Sequence, residues 1–329
     1  MISQIAAKPK VELHRHLEGS IRPTTIAELG RKHRLPLPTY DPDEIRSLIQ
    51  FSKPAKNLRE FLNPFVKVIR HCFVNKEAIA RITFEVIEDA SLDNITYVEL
   101  RFSPECMAIT HTLSMSEVMD GIIEGVQVAT RRFPITVGLI VSVNRPPGNS
   151  LIWPTPMEVA KLAVRYADRG VVGFDLSGLE AECPPSRFAK EFQLIREAGL
   201  GVTVHAGEDS GPESIREAIE ILGAVRIGHG VRIVRDPNVL EIALAQGVCF
   251  ELCPTSNVLT RAVDSLDNHP IRMLYDLGMQ VTVNTDDPTV CGVTLTNEYL
   301  LLTEKFGMDL NDIDRLIENA RKASFGGLR

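Results

Sequence analysis

Residues 201–230 read GVTVHAGEDSGPESIREAIEILGAVRIGHG and contain one complete unit of the fold. The unit opens with an apolar run at 201–207 and closes with another at 224–230. Short, nearly continuous apolar runs joined by an amphipathic helix are typical of parallel strands with a helical crossover. The apolar residues between the two runs fall at helical spacing: Ile215, Ala218, Ile219 and Leu222.

Six further stretches make eight runs of this kind in the whole chain, each bounded by turn residues. They are KVELH (10–14), TYVELRFS (96–103), ITVGLIVSV (135–143), VVGFDLSG (171–178), GVTVHAG (201–207), AVRIGHG (224–230), VCFEL (248–252) and QVTVN (280–284). Eight strands alternating with helices is the number that closes a (β/α)8 barrel. An open doubly wound sheet is the alternative, but no GxGxxG or GxxxxGK[ST] motif follows any run.

We therefore predict an α/β protein with a (β/α)8 TIM barrel, formed by residues 1–329 as a single domain. The segment from about 40 to 75 is longer than a simple return between strands. We expect it to form extra helices over the C-terminal mouth of the barrel. Thr25 and Glu28 have the spacing of a capping box, which predicts that a helix begins there, soon after the first strand.

The composition and net charge of the chain indicate which kinds of binding partner it has. A hydrophobic content of 44% and a charged content of 24% are ordinary for a globular protein, and no stretch approaches the ~20 apolar residues of a membrane span. The N-terminal sequence lacks the pattern of a secretory signal and the six cysteines form no CxxC pair, so we expect a cytoplasmic protein. A net charge of −7 without a basic stripe argues against nucleic acid and favours a small-molecule substrate. The oligomeric state is left open.

Histidines mark the ends of several predicted strands, where barrel enzymes carry their chemistry. His14 and His16 form an HxH pair, and alternation along a strand turns both imidazoles to the same side. His205 ends the fifth strand and His229 the sixth. The other four histidines lie in helical or loop contexts and receive no role: His33, His71, His111 and His269.

Carboxylates join these histidines. Asp286 and Asp287 end the eighth strand, and Glu208 follows the fifth. Taken singly, the two aspartates are typical of a turn or a helix cap. Glu208 alone is typical of the acidic residue that is favoured at the start of a helix. Several imidazoles and carboxylates are costly to bury in one small volume without a cation, and this mixture favours zinc over magnesium or calcium. We predict one zinc ion per chain.

Two common zinc signatures are absent, since the chain has neither HExxH nor an HxE motif with PCxxC. Instead, seven ordered motifs resemble those of the adenosine deaminase family, a branch of the metal-dependent amidohydrolase barrels. The motifs are KVELHRHLEGSIRP (10–23), YVELRFSP (97–104), VVGFDLSG (171–178), VHAGE (204–208), RIGHG (226–230), ELCPTSN (251–257) and VTVNTDDP (281–288). Together they extend over essentially the whole chain.

The resemblance implies a set of metal ligands and a set of catalytic groups. The zinc ligands would be His14, His16, His205 and Asp286. The catalytic residues would be Glu208, His229 and Asp286: Glu208 as proton donor to purine N1, and His229 as the group that orients and helps to deprotonate the attacking water. A fourth imidazole ligand is the alternative role for His229.

The resemblance also implies contacts with a purine nucleoside, from His16, Glu18, Gly178 and Asp287. Asp287 would bond N7, and the backbone of Gly178 would receive N3. Glu208 must be protonated to donate, so we expect burial and the neighbouring aspartates to raise its pKa. Because zinc would oppose that shift, we expect Glu208 beside the purine and off the metal.

One departure from the family pattern concerns the substrate. Adenosine-specific members usually have Asp where this chain has Glu18, and that carboxylate addresses a ribose hydroxyl. Adenine deaminases of the family have Glu there, but resemble DHG and NSDDP where this chain has GHG (228–230) and NTDDP (284–288). The expected reaction is hydrolytic deamination of adenosine or 2′-deoxyadenosine to the corresponding inosine and ammonia. Free adenine and 6-aminodeoxyfutalosine are alternative substrates.

The sequence disfavours two other classes of protein. Barrel hydrolases of phosphoesters or lactones commonly bridge two metals with a carboxylated lysine or a glutamate at the end of strand four, where this chain has Asp175-Leu-Ser-Gly178. A non-catalytic binding protein would have no reason to keep Glu208 beside a complete ligand set. Both alternatives are therefore disfavoured.

Overall fold

The sheet of this protein follows the order of the chain. The structure is a computed structural model that describes residues 1–111, 113–145 and 155–327. Eight strands form a parallel sheet in which each pairs with the next. Their bounds are Lys10–His16 (β1), Ile95–Phe102 (β2), Thr136–Asn144 (β3), Val171–Ser177 (β4), Gly201–Ala206 (β5), Arg226–His229 (β6), Cys249–Leu252 (β7) and Gln280–Val283 (β8). All eight predicted runs form strands, and the predicted TIM barrel is confirmed.

Helices alternate with the strands. The α-helices of the described ranges are Ile2–Ala6 (α1), Pro23–His33 (α2), Pro42–Ile49 (α3), Leu58–Phe61 (α4), Asn63–Lys67 (α5), Lys76–Leu92 (α6), Pro104–Ala108 (α7), Met115–Arg132 (α8), Pro156–Arg165 (α9), Ala189–Glu197 (α10), Pro212–Glu220 (α11), Pro237–Ala245 (α12), Pro254–Leu259 (α13), Ile271–Asp276 (α14), Pro288–Cys291 (α15), Leu295–Lys305 (α16) and Leu310–Ala323 (α17). Short 3₁₀ segments are Glu18–Ser20, Ile69–Cys72, Ala167–Arg169, Glu180–Glu182, Pro185–Phe188, Val231–Arg235 and Leu266–Asn268. Among the described residues, no helix combines the length and apolar character needed to cross a bilayer.

The barrel closes where β8 meets β1. The two strands join through an isolated bridge between Arg15 and Asp286, beyond the end of β8. The backbone N–H of Asp286 donates to the carbonyl of His14 at 3.0 Å, and that of His16 donates to the carbonyl of Asp286 at 2.8 Å. The closing seam therefore places the backbone of Asp286 directly beside the HxH pair.

Charged side chains fill part of the barrel interior, where branched aliphatic residues are usual. Arg226 contacts Glu99 at 2.6 Å and Glu251 at 2.6 Å, and Arg101 contacts Glu251 at 2.7 Å. All four side chains are at most 1% exposed. Because an unpaired buried charge is strongly destabilising, the interior depends on this pairing being complete. The network extends upward to the histidines of the mouth, as described below.

The bottom of the barrel is closed by the C-terminal segment. The Phe325 ring lies under the guanidinium of Arg226, with 3.6 Å from the guanidinium carbon to the ring centroid. Gly173 and Gly201 leave room for this ring, since a Cβ built on Gly201 would lie 2.3 Å from Phe325 Cγ. Glycine is thus required at position 201, because the Phe325 ring packs closely against the sheet there.

Segment 40–75 forms the predicted extra helices over the mouth. It contains α3, α4, α5 and a 3₁₀ turn, and its apolar side chains form one wall of the mouth cavity. The apolar spacing from Leu58 to Ile69 predicts a longer helix than the chain forms, because Pro64 has no N–H to continue the hydrogen-bond ladder and α5 begins anew beside it.

The predicted capping box at Thr25 and Glu28 is wrong. The helix α2 begins at Pro23, and its preceding residue makes no side-chain cap. The Thr25 hydroxyl instead donates to Glu85 of α6. The Thr25 hydroxyl therefore makes a tertiary hydrogen bond instead of capping the helix, as the local sequence pattern predicted.

Because Phe325 packs against Gly201, we expect a methyl group added at position 201 to destabilise the fold. Gly201→Ala should lower the free energy of unfolding by ~1–3 kcal/mol, because the added carbon has to displace a packed ring. Denaturant unfolding of the wild type, Gly201→Ala, Phe325→Ala and the double variant measures the effect and its coupling. An equal cost of Gly201→Ala with and without the ring would contradict the packing argument.

Candidate active site

A cavity with about 810 Å³ of open space lies at the carboxyl ends of the strands, between the barrel and segment 40–75. It brings together nearly all the residues predicted from the sequence. His14 lies beneath the others and is fully buried. The remaining eight line the cavity: His16, Glu18, Gly178, His205, Glu208, His229, Asp286 and Asp287.

Four potential ligand atoms converge at the cavity floor. Asp286 Oδ1 lies 3.2 Å from His14 Nε2 and 3.3 Å from His16 Nε2, and His16 Nε2 lies 3.3 Å from His205 Nε2. Bonds of ~2.0–2.1 Å to a tetrahedral zinc ion place neighbouring ligand atoms about 3.4 Å apart. The buried His14 Nε2 has no hydrogen-bond partner among the described residues. The four residues therefore fit a metal ion in both spacing and chemistry.

Carboxylates deeper in the barrel fix two of these imidazoles. His14 Nδ1 lies 2.8 Å from Glu251 Oε2, and His205 Nδ1 lies 3.0 Å from Asp175 Oδ1. A ring that donates its Nδ1–H to a carboxylate keeps Nε2 free as a lone-pair donor. Burial alone would raise the pKa of Glu251, but Arg101 and Arg226 hold it well below its ordinary value. Glu251 is thus an ionised acceptor for His14.

The protonation state of His229 follows from its neighbours. The Asn257 carbonyl oxygen accepts the backbone N–H of Cys253 at 3.3 Å and lies 3.1 Å from His269 Nε2. The Ile271 backbone N–H donates to His269 Nδ1 at 3.2 Å, so the neutral ring of His269 carries its proton on Nε2. The amide nitrogen of Asn257 therefore faces His229 Nδ1, at 2.9 Å, and donates to it.

His229 is consequently a hydrogen-bond donor to the cavity. Burial lowers its pKa well below the ordinary value, so the ring is neutral, and its single proton lies on Nε2. Nε2 is 3.7 Å from Glu208 Oε2 and 4.0 Å from Asp286 Oδ2. His269, to which the sequence pattern assigned no role, supports this arrangement through Asn257.

Glu208 lies at the cavity wall and is buried. Burial, then the negative charges of Asp286 and Glu180, raise its pKa well above the ordinary value. The expected effects of burial and Asp286 are thus present, together with one from Glu180 that the sequence did not indicate. Glu208 does not belong to the four-residue ligand group. Glu208 is therefore a buried carboxyl group with a raised pKa that lies outside the group of predicted metal ligands.

Asp287 lines the cavity with a buried oxygen, Oδ1, that has no hydrogen-bond partner among the described residues. Burial, then the charges of Asp286 and Glu18, raise its pKa well above the ordinary value. Gly19 makes the position possible, because a Cβ there would lie 1.7 Å from Asp287 Oδ1. The glycine of the HLEGS motif therefore makes room for this carboxyl group.

Glu18 lines the cavity and contacts Ser103. Its Oε1 accepts the backbone N–H of Ser103 at 2.9 Å, while Oε2 is buried and finds no partner within the described ranges. Burial raises the pKa of Glu18 to about 7, and that of its neighbour Glu105 likewise to about 7. One oxygen of Glu18 is thus available to a ligand hydroxyl in the cavity.

Two site residues have a strained backbone. His229 and Asp286 both have φ of 62°, in the left-handed region that non-glycine residues rarely occupy. Such conformations cost roughly 1–3 kcal/mol each and concentrate at functional positions. Here they turn the two side chains inward at the ends of β6 and β8.

Several residues that support the site were not predicted from the sequence. Ser256 donates its hydroxyl to Asp286 Oδ2 at 2.6 Å. Glu251, Ser256 and Asn257 lie in the ELCPTSN motif, and Asp175 in VVGFDLSG. Strand alternation offered one signal, since polar residues within otherwise apolar strands have to find partners inside the barrel.

Comparison with known proteins places the chain among purine deaminases. A family model described as adenosine deaminase matches residues 9–327. An adenosine deaminase of Clostridium acetobutylicum is 37% identical over 326 residues, covering 98% of this chain and 94% of the relative. One of Mycolicibacterium gilvum is 37% identical over 341 residues, covering 98% and 92%.

Solved structures agree in fold and vary in substrate. An adenine deaminase of Arthrobacter aurescens has a TM-score of 0.85 at 26% identity, covering 97% of this chain and 94% of its own. The N6-mAMP deaminase of Arabidopsis has a TM-score of 0.85 at 30% identity, covering 98% and 95%. An amidohydrolase of Burkholderia ambifaria with bound zinc has a TM-score of 0.83 at 25% identity, covering 98% and 87%.

The ligand geometry predicts different results for the two adjacent aspartates. Asp286→Ala should lower the metal content of the purified protein by more than ~10-fold, because it removes a ligand atom and its charge. Asp287→Ala should keep the wild-type metal content, because Asp287 lies outside the ligand group. Plasma mass spectrometry of dialysed protein measures both, with thermal unfolding as the check on folding. Equal losses in the two variants would contradict the assignment.

Proposed function

This chain belongs to the adenosine deaminase family, and we propose that it hydrolyses adenosine and 2′-deoxyadenosine to inosine and 2′-deoxyinosine, with release of ammonia and with one zinc ion per chain. Members of the family are hydrolases that act on C–N bonds. The observation that carries the proposal is a buried Glu208, with a pKa raised well above its ordinary value, in the same cavity as the four-residue ligand group. That pairing matches a reaction that needs an activated water and a proton donor together.

Four residues would hold the zinc ion: His14, His16, His205 and Asp286. Three imidazole nitrogens and one carboxylate oxygen form a donor set typical of zinc. When bound there, zinc acts as a Lewis acid and lowers the pKa of a water molecule towards ~7. The unpartnered Nε2 of His14 and the bound zinc of the Burkholderia ambifaria relative support this choice of metal.

The protein's own groups account for the proton transfers. C6 of adenine is a poor electrophile, so N1 takes the proton of Glu208 as water adds to C6. The Nε2–H of His229 orients that water, and Asp286 Oδ2 is the nearby carboxylate oxygen that accepts its first proton. This proton passes to the amino group, the C6–N bond breaks and ammonia leaves. The second water proton returns to Glu208 as the C6 carbonyl forms.

His229 acts in this scheme mainly as an orienting donor. Its Nδ1 already accepts a hydrogen bond from Asn257, so the neutral ring has no free lone pair towards the cavity. The orienting role inferred from the resemblance suits this arrangement. Removal of the water proton is better assigned to Asp286, whose Oδ2 also accepts the hydroxyl of Ser256.

The cavity offers contacts for the rest of a nucleoside. The protonated carboxyl group of Asp287 would donate to N7, and the backbone at Gly178 would bind N3. His16 lines the same wall of the cavity and would contact the substrate as well as the metal. Glu18 would accept a ribose hydroxyl through its unpartnered Oε2. Compared with Asp, its extra methylene adds about 1.5 Å of reach.

A second candidate is an adenine nucleoside with an anionic group at the 5′ position, such as a nucleotide or 6-aminodeoxyfutalosine. Arg70 favours it, because this residue lines the cavity and forms no ion pair within the part of the chain that the structure describes. A cation at the outer wall would attract a phosphate or carboxylate. The Arabidopsis N6-mAMP deaminase acts on a nucleotide within the same fold.

We also propose that residues 1–329 act as one domain, in the cytoplasm and without a nucleic-acid partner. The continuous sheet and the extensive buried apolar core support a single folding unit.

Parallel assays test the substrate. Adenosine, free adenine, AMP and 6-aminodeoxyfutalosine are incubated with the zinc-loaded protein, and loss of the 6-amino group is followed by ultraviolet absorbance and ammonia release. We expect the highest kcat/KM with adenosine. A higher value for AMP or 6-aminodeoxyfutalosine would favour the second candidate, whereas no turnover of any of them would contradict the proposal.

Replacing the proton donor should stop the reaction without removing the metal. Glu208→Gln should lower kcat by ~10²–10⁴-fold, because the amide cannot supply an acidic proton. Metal content and thermal unfolding should equal those of the wild type, since Glu208 is not a ligand. A variant with the wild-type rate would exclude Glu208 as the donor.

The raised pKa of Glu208 also fixes the direction of the pH dependence. The donor works in its protonated form, so kcat/KM should fall as the pH rises through its raised pKa. Below that pKa Glu208 stays protonated, so its ionisation does not change kcat/KM. Rates with adenosine from pH 5 to 10 measure this alkaline limb of the pH profile, and the residual activity of Glu208→Gln should lack it. The same alkaline limb in Glu208→Gln would assign it to another group.

A further inference from the structure

One buried carboxylate binds the loop that carries Glu208. Glu180, in the 3₁₀ turn after β4, is 3% exposed. Its Oε1 accepts the backbone N–H of Gly207 at 2.6 Å. Its Oε2 accepts three further backbone N–H groups, from Glu208 at 3.0 Å, Asp209 at 2.8 Å and Ser210 at 3.0 Å. Four successive amides of one loop therefore converge on one side chain.

This arrangement specifies the path of residues 207–210. Successive backbone N–H groups that point inward form an anion-binding concavity, and hydrogen bonds to an ionised acceptor are about twice as strong as neutral ones. Without the carboxylate, four buried or half-buried donors would need other partners. The loop connects β5 to α11, so its path decides where the Glu208 side chain enters the cavity.

The carboxyl end of β5, just before this loop, is held by a second buried side chain. Arg145 is buried, and its Nη2 donates to the carbonyl of His205 at 2.9 Å while its Nε donates to the carbonyl of Cys183 at 2.9 Å. Arg145 thus ties the metal-ligand end of the strand to the segment that follows Glu180. Glu180 accepts the backbone N–H groups of residues 207–210, while Arg232 donates to the carbonyls of Gly207 at 3.2 Å and Ser210 at 3.3 Å.

We propose that Glu180 is a positioning residue for the reaction, which fixes the loop 207–210 so that the Glu208 carboxyl group meets purine N1. The assignment rests on the proposed deaminase function. It adds a residue that does not line the cavity and that contacts the loop through four backbone N–H groups. Its negative charge has a second effect in the same direction, because after burial and Asp286 it helps to keep the proton on Glu208.

Glu180→Gln is the direct test, because glutamine keeps the size of the side chain but has one acceptor oxygen and no charge. Its amide nitrogen would face at least one of the four N–H groups. Glu217→Gln is the matched control: Glu217 accepts one backbone N–H, from Ser186 at 3.0 Å, and is not part of the cavity wall. Both variants are compared with the zinc-loaded wild type.

Two readouts separate positioning from simple stability. The first is amide hydrogen exchange of residues 207–210, followed by mass spectrometry without substrate. The second is steady-state kinetics with adenosine. In Glu180→Gln we expect at least tenfold faster exchange in this loop and a 10- to 100-fold lower kcat, with KM within about threefold and the metal content unchanged, since a displacement of about 1 Å can cost ~100-fold in rate. Glu217→Gln should match the wild type in all four.

An unchanged kcat in folded Glu180→Gln would overturn the proposal, as would an equal loss in Glu217→Gln. If Glu180→Gln does not fold, Glu180→Asp and Glu180→Ala replace it, the latter assayed with added formate, a carboxylate small enough to enter the vacated site. Saturable recovery of kcat by formate supports the assignment, and no recovery in the folded variant contradicts it. Wild-type protein without activity on any adenine compound would instead refute the proposed function, while the exchange measurement would still test the loop.

Discussion

The pairing of charges inside the barrel is the constraint on which the site depends. Glu251 lies at its centre, bonded to Arg101 and Arg226 below and to His14 above. Ionised by the two arginines, it fixes the ring of His14 with Nε2 towards the cavity. Asp175, beside Arg101, does the same for His205 at 3.0 Å. An aliphatic interior would avoid the cost of burying charged side chains. However, it would leave these two imidazoles without carboxylates to orient them.

Backbone closure supplies the remaining ligand. Because β8 joins β1 at the bridge between Arg15 and Asp286, the aspartate is fixed against the HxH strand by two backbone hydrogen bonds. Its left-handed φ and the one at His229 are local costs that the rest of the barrel has to offset. Fold stability and ligand geometry are therefore coupled at the seam, and a ligand variant there can also affect closure.

Local patterns in the sequence predict the barrel and the histidines and acidic residues at its strand ends, whereas Glu18 and Gly178 were indicated only by the family resemblance. Apolar runs identify strands, and polar residues at their ends identify the mouth. The residues that support the site are harder to predict from the sequence, since the role of Glu180 depends on four amides 27 to 30 positions away. The same limit explains the Thr25 error, in which a hydroxyl found a distant carboxylate. No periodicity in a single sequence encodes such contacts.

The carboxyl groups of the cavity differ in the direction of their pKa shifts. Several carboxyl groups lie together there, and like charges in one buried volume cannot all ionise. Asp286, surrounded by imidazoles, has a pKa well below its ordinary value despite burial and takes the negative charge. Glu208 and Asp287 have raised pKa values and keep their protons. Purine N1 and N7 are both hydrogen-bond acceptors, so two carboxyl groups with raised pKa values suit the adenine substrate that we propose, and the ionised Asp286 belongs to the group that would bind the metal ion.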